Sequence, residues 1–508
     1  MSAPTVPVAQ AAKPAPLRIQ RLTLTDFRAF PGPAPTHFDL DGKNLLVYGE
    51  NGSGKSSIFH ALSGFFSLKP EFTQAKILRE QKNVFSGQKD TDCKVKVQFS
   101  DSNVPVEWTI ASHPTGKSPD KRVRRAALRC ACLDYRALLE TNYKQGANPI
   151  NLFDIAVNQL LRDYPVTVPG GTSTTLGRLW SNVSINIPQR HTSGTLNRIN
   201  QACTEFSVAF RNAVPRLVSL INELMQLLGW RDVGLKEFNT PGVVYNPTTR
   251  SIEGKSMTPD LFFRDYPLER PQLFLNEARL SALGLAIYLA GRLASVPTAT
   301  ATDLKLLVLD DVLIGLDHSN RLPVLDVLKS KFDGWQIVLL THDRNWFDLA
   351  RSHLPKNNWK CVEIYEGDPA APVPMPIVRP TQDRPARALL DKAAELIKTP
   401  YVEAAANYAR QAFESGVRTA CELKKIEMRY TVDPKAHQAQ DFLDKLKQWP
   451  GSAKVPKKNW DAAIQRLETL KNVVMNPYSH PDAPNIPKRD VEQAIDAVEA
   501  FLKLAAQK

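Results

Sequence analysis

Three short segments carry side chains suited to one reaction. Gly49-Glu50-Asn51-Gly52-Ser53-Gly54-Lys55-Ser56 satisfies the phosphate-loop spacing G-x-x-x-x-G-K-[ST]. Glycines at these places let successive backbone N–H groups turn inward toward a phosphate chain, and the helix that follows adds the partial positive charge of its N-terminus. Lys55 would reach the β- and γ-phosphates and Ser56 would hold Mg²⁺, while Glu50, Asn51, Gly52, Ser53, Gly54 and Ser57 complete the cradle. The second segment, Lys305-Leu306-Leu307-Val308-Leu309-Asp310-Asp311, places two acids at the tip of an apolar run. Asp310 is the expected magnesium residue and Asp311 the group that orients or deprotonates an attacking water. In the third, Gln336-Ile337-Val338-Leu339-Leu340 ends in Thr341-His342-Asp343, so that His342 is expected beside a terminal phosphate.

These side chains need parallel strands to bring them together. Leu45 to Tyr48 reads as the strand entering the loop and Ser57 to Leu62 as the helix leaving it. The runs before Asp310 and Thr341 read as strands buried on both faces. Alternation predicts further strands at Arg18 to Leu24, Lys94 to Phe99, Val104 to Ile110 and Ala127 to Leu133. Between the last two lies a basic, hairpin-like stretch with Lys117, Lys121, Arg122, Arg124, Arg125 and Arg129. From Tyr135 to Trp230 the pattern turns helical, with amphipathic segments at Leu152 to Leu161 and Leu196 to Leu228 that could pair as a short antiparallel arm. Strand candidates at Gly242 to Tyr245 and Ile252 to Gly254 precede a helix at Asn276 to Leu293. An α/β core interrupted by a large insertion follows from this order.

Residues 366 to 386 hold six prolines and read as a linker, after which every segment is helical. The organisation expected is a tail at 1–17, a head at 18–365 with a helical insertion at about 135–230, a linker at 366–386 and a helical domain at 387–508. With 508 residues and a formal net charge of +13, the chain is long enough for several cores and can attract nucleic acid. Six scattered cysteines without a C-x-x-C pair give neither a zinc site nor a disulfide framework, which suits a reducing cytoplasm. No apolar run reaches the ~20 residues of a membrane span, so no membrane partner is expected.

The chain resembles the ABC-type ATPases of the RecF/SMC class, which include OLD-like and phage-defence ATPases. The resemblance is carried by Phe27-Arg28-Ala29-Phe30, the loop from Gly49 to Ser57, Leu275-Asn276-Glu277-Ala278-Arg279-Leu280-Ser281, Leu306 to Asp311, Gly315-Leu316-Asp317 and Leu340 to Asp343. It implies ATP with Mg²⁺ as cofactors and a homodimer in which two heads sandwich two nucleotides, with higher oligomers open. It also implies that Asn276 opens the signature segment and that Asp317 belongs to the loop facing the partner head. Asn276 suits that place as a helix N-cap, aiming free N–H groups at a partner's phosphate. The usual signature carries Ser and paired Gly where this chain has Asn276-Glu277-Ala278. Asp311 stands where the class more often has Glu, one methylene longer, which implies slow hydrolysis.

The C-terminal segment around Leu470 to Asp482, with the helix from Tyr401 to Cys421, resembles HEPN-type helical domains. Many of those are RNases using Arg and His; here no Arg lies in the window before His480, only Lys471 and Asn472. The resemblances imply an α/β ABC-type P-loop head with a helical insertion and a separate all-α C-terminal domain. The function expected is a dimeric ATPase that senses or regulates an effector nuclease or toxin in bacterial antiviral systems of the Septu, PARIS or retron-associated kind. Alternatives are a DNA repair ATPase holding duplex through the basic stretch, and an ATP-gated RNase acting on RNA through His480.

Overall fold

The structure is a computed structural model describing residues 15–135, 150–168, 171, 173–295, 302–381, 385–428, 438–477 and 487–507. The chain divides into two compact units, Met1–Thr381 and Gln382–Lys508. In the first unit the strands are β1 (Ile19–Thr25), β2 (Thr36–Asp39), β3 (Asn44–Gly49), β4 (Lys94–Phe99), β5 (Val106–Trp108) and β6 (Cys130–Asp134), followed by the hairpin β7 (Pro165–Thr167) and β8 (Ser173–Thr175). Then come β9 (Val233–Asn239), β10 (Val244–Asn246), β11 (Ser251–Glu253), β12 (Thr258–Phe263) and β13 (Tyr266–Leu268). The unit ends with β14 (Leu306–Asp310), β15 (Gln336–Thr341), β16 (Trp359–Tyr365) and β17 (Ile377–Pro380).

A six-stranded sheet in the order β17-β16-β3-β15-β14-β6 is the frame of the head. Its five inner-to-edge strands from β16 to β6 run parallel, and β17 closes the other edge antiparallel to β16. Side chains alternate between two apolar layers. Leu46, Tyr48, Leu307, Leu309, Ile337 and Leu339 join the core shared with the insertion. Leu45, Val47, Leu306, Val308, Val338 and Leu340 join the core under β1, β4 and the helix α1 (Ser56–Phe65). Burial on both faces explains why β14 and β15 read as continuous apolar runs, with acids or a hydroxyl at their C-terminal tips and only Gln336, whose amide is hydrogen-bonded to Ile19 and Lys43 backbone groups, polar at the start of β15. A second, antiparallel sheet, β2-β1-β4-β5, completes the lobe that carries the phosphate loop.

The insertion differs from the expected arm. One long helix, Ser193–Leu227, forms as its 3.6-residue pattern predicts and starts at a capping box made by Thr192 and Thr195. Leu152 to Leu161 instead gives a single turn, Phe153–Ile155, and a π-turn, Ala156–Leu160, because the Leu152 N–H is held by the Met257 carbonyl and the Phe153 N–H by Asn151 Oδ1. Phe153 then packs on Phe206 and Phe210 of the long helix, so both segments belong to the core and not to a projecting rod. The three-stranded sheet β13-β12-β9 was not legible as strands, since its charged and aromatic residues alternate poorly.

Three more expectations are corrected. The basic stretch is not a hairpin: Lys121–Ala127 is a helix, α3, capped by Asp120, whose carboxylate accepts the N–H groups of Arg122 and Val123. The proline-rich stretch is not only linker, since β17 pairs with β16 across Ile377–Pro380 at the sheet edge, where a proline is tolerated. Leu17, placed in the tail, is buried and donates its N–H to the Thr302 carbonyl.

The second unit is all helical, with helices at Pro385–Leu396, Val402–Leu423, Ala439–Lys447, Lys457–Leu470 and Lys488–Ala506. Ala405, Ala409, Ala412 and Gly416 form a buried stripe of small residues that lets neighbouring helices approach closely, and the Trp460 indole is buried with its N–H donated to the Leu446 carbonyl at 2.8 Å. His480 lies outside the described residues. Among the described residues no helix is long and apolar enough to cross a membrane.

Candidate nucleotide site

The phosphate loop leaves β3 at Gly49 and enters α1 at Ser56. Gly52 and Gly54 have φ of 90° and 97°, the left-handed region in which a side chain is strained. A Cβ on Gly54 would also come within 2.7 Å of Ala29 Cβ, so glycine is required there on two grounds. Glu50 and Asn51 stand exposed at the lip, whereas Ser53, Lys55 and Ser57 are buried. The Ser57 hydroxyl accepts the Ala29 N–H at 3.4 Å, tying the loop to the Phe27-Arg28-Ala29-Phe30 segment.

Because β15 lies between β3 and β14, the tips of all three strands converge on the loop. Lys55 Nζ is 3.0 Å from Asp311 Oδ2, with the two side chains only 6% and 9% exposed. Asp311 Oδ1 accepts both the backbone N–H of His342 and a bond from His342 Nδ1, each at 2.9 Å. Asp311 reaches this pose from a left-handed backbone with φ of 53°, a strained conformation for a non-glycine residue and one that recurs at functional sites. An ionised carboxylate only accepts, so the imidazole proton lies on Nδ1 and a neutral ring presents a lone pair at Nε2. Donation from Nε2 to a phosphate therefore requires the protonated ring or a change of tautomer.

Asp310 is buried, and burial first of all pushes its carboxyl up to about 6; a hydrogen bond from Ser56 and the charge of Lys55 oppose this, while Asp311 and Asp134 reinforce it. Its Oδ1 has no hydrogen-bond partner, and neither does the buried Ser53 hydroxyl. Two orphaned oxygens at the phosphate loop and the neighbouring strand tip fit a hydrated divalent cation and a phosphate chain, each orphan otherwise costing about 1–3 kcal/mol. The sign of the pH effect follows. A raised carboxyl pKa means that the ionised form is disfavoured in the fold, so stability falls as pH rises from about 4 through about 6. Asp310→Asn is expected to raise the unfolding midpoint at pH 8 by a few degrees, corresponding to no more than about 3 kcal/mol, and to leave it unchanged near pH 4. Thermal unfolding at the two pH values checks this; equal effects at both would remove the buried charge as the cause.

The structure brings Lys55, Ser56, Asp310, Asp311 and His342 together at the strand tips and the loop. Asn276 and Asp317 are not part of this cleft. Asn276 is exposed and caps the helix Glu277–Ser295, its Oδ1 accepting the Arg279 N–H at 3.0 Å. Gly315 packs against Ser281 so closely that a Cβ would fall 2.1 Å from its hydroxyl, which joins the Gly315-Leu316-Asp317 loop to the same helix. Sequence reasoning missed the loop after the helix α2 (Glu71–Glu80) and the segment from Glu366 to Pro376, both of which line the cleft. It also missed Arg321, whose ion pair with Asp343 at 2.5 Å braces the turn after His342. Proline density, read as linker, was the overlooked signal for the second segment.

Residues 21–143 match the family model described as an AAA domain. No curated protein matches the chain. Similar solved structures include the Smc head domain with an extended coiled coil bound to the C-terminal domain of ScpA from Pyrococcus furiosus, 12% identical, with a TM-score of 0.41 over 75% of this chain and 99% of that one. The SMC head domain from Thermotoga maritima is 17% identical, with a TM-score of 0.31 over 72% of this chain and 99% of that one. The recombination mediator protein RecF with ATP is 12% identical, with a TM-score of 0.40 over 74% of this chain and 100% of that one. The parallel sheet, its phosphate loop and the acidic and imidazole strand tips define an α/β P-loop ATPase head, followed here by a helical unit.

Proposed function

We propose that the protein binds and hydrolyses ATP as a RecF/SMC-like head that works as a homodimer, and that its nucleotide state controls a partner. The observation that carries this reading is the chain from buried Lys55 through buried Asp311 to the partly exposed His342, beside the orphaned Asp310 oxygen. Ser56 and Asp310 would hold Mg²⁺, which would supply positive charge to offset that of the phosphates. Lys55 exchanges Asp311 for the phosphates. The released Asp311 carboxylate, still oriented by the His342 N–H groups, is then the proton acceptor for a water held against the terminal phosphate.

Homodimerisation is supported by the exposed cap Asn276 and by Leu273, Phe274 and Ile314, which are 67%, 60% and 49% exposed and flank the Asn276 and Asp317 segments in sequence. Asp311→Asn protein is expected to double its mass in solution on adding ATP and Mg²⁺, and to remain monomeric when Lys55→Ala is added. Light scattering reads the result, and a mass indifferent to ATP would reject nucleotide-driven pairing.

Among partners, an effector nuclease of an antiviral system is the reading we favour. The packed insertion and the appended helical unit suit a platform better than a long clamp. The DNA repair alternative draws on the charge of +13, but the arginines of the basic stretch are largely engaged: Arg122 pairs with Asp101 and Asp120, and Arg125 and Arg129 with Asp303. For the RNase alternative, Lys471 is bound to Gln440.

A further inference from the structure

Two apolar side chains with no part in the phosphate chemistry stand at the rim of the same cleft. Val84 is 86% and Phe85 58% exposed. Their display is not slackness of the loop. Asn83 is buried, donating its N–H to the Asp26 carbonyl at 3.0 Å and its Nδ2 to the Arg28 carbonyl at 2.6 Å, while its Oδ1 accepts the Phe85 N–H at 2.9 Å. Ser86 is bound to the Asp26 carboxylate on the other side. The backbone is fixed from both ends, and the rings and methyls are held outward where burial would otherwise be favourable by about 1.5–3 kcal/mol each.

A second apolar wall comes from the far end of the head. The segment from Glu366 to Pro376 doubles back on itself at Gly367, where a Cβ would meet the Met375 carbonyl oxygen at 2.2 Å. This brings Pro374 and Pro376 into the cleft, with Pro376 Cγ 3.4 Å from a Cβ built on Gly54. The cleft they share with the phosphate loop measures ≈ 730 Å³, within the range that encloses a whole small ligand and larger than a triphosphate alone requires.

From this placement we infer that Val84, Phe85 and the proline strap form the base subsite for the nucleotide whose phosphates sit on the loop at Gly49 to Ser56. The inference rests on the nucleotide-binding reading above. Apolar and aromatic surfaces stack on any base, and a purine offers them the larger face, so the site favours purine nucleoside triphosphates over pyrimidine ones.

The test compares binding of ATP, CTP and inorganic tripolyphosphate, each with Mg²⁺, to the full chain and to the Val84→Ser/Phe85→Ser variant. Both substituted side chains are exposed, so the fold is expected to persist, and an unchanged unfolding midpoint verifies it. The unmodified protein is expected to bind ATP more tightly than CTP or tripolyphosphate. The variant is expected to lose on the order of tenfold in ATP affinity, to narrow the gap between ATP and CTP, and to bind tripolyphosphate as before. Equal ATP affinity in both proteins would overturn the subsite while leaving the phosphate site standing. Failure of the unmodified protein to bind either ATP or tripolyphosphate would overturn both.

Discussion

Lys55→Ala is expected to reduce ATP affinity at least about a hundredfold, since hydrogen bonds to charged phosphate oxygens are worth about 1.5–3 kcal/mol each and the lysine makes more than one. The structure adds a second consequence. Asp311 loses its cation while buried, and an uncompensated buried charge costs on the order of 3–5 kcal/mol, so the variant is also expected to unfold at lower denaturant concentration. Asp311→Asn combined with Lys55→Ala removes the stranded charge and is expected to recover most of the stability without recovering ATP binding. Denaturant unfolding and nucleotide titration of both variants separate the two effects. If the single and double variants are equally stable, the ion pair is not the coupling between these residues.

Asp311→Asn alone is expected to slow turnover by about 10²- to 10⁴-fold, the range for removing a positioned general base. Binding should be equal or tighter, because asparagine can still accept the His342 N–H at Oδ1 but no longer competes electrostatically for Lys55. Single-turnover phosphate release beside an ATP titration tests this, and turnover at the unmodified rate would take Asp311 out of the chemistry. His342 depends on the same carboxylate. With Asp311 replaced, the Nδ1 proton loses its charged acceptor and the orientation of the ring relaxes.

Most of this site was legible because each part is local. A phosphate loop is a short run of glycines with one lysine, and a buried parallel strand is a short apolar run with its chemistry at one end, so Lys55, Asp310 and His342 could be located from neighbours alone. The α/β head and the helical end followed from the same periodicities. What was not legible depends on distant pairings. Nothing near Asp311 announces a left-handed backbone or an ion pair to a residue in a remote segment. The strand-poor look of β9 and β12 hides a sheet whose register includes a bulge between Asp260 and Leu261. The prolines at 369 to 376 carry the composition of a linker and the position of a pocket wall, and only β17, which begins at the next residue, makes the difference.

That edge strand has a mechanical consequence. The polypeptide leaving β17 at Pro380 is the sole covalent route from the head to the helical unit, and the strand is held on one side only, through a register of four residue pairs with β16. Tension arriving along this route would be borne first by this outermost, antiparallel ladder of the frame, which can peel away without unzipping β3. The pull would then pass to the residues from Glu366 to Pro376 beside the loop at Gly49 to Ser56, so that a load on one end of the head would reach that loop before it reached the core.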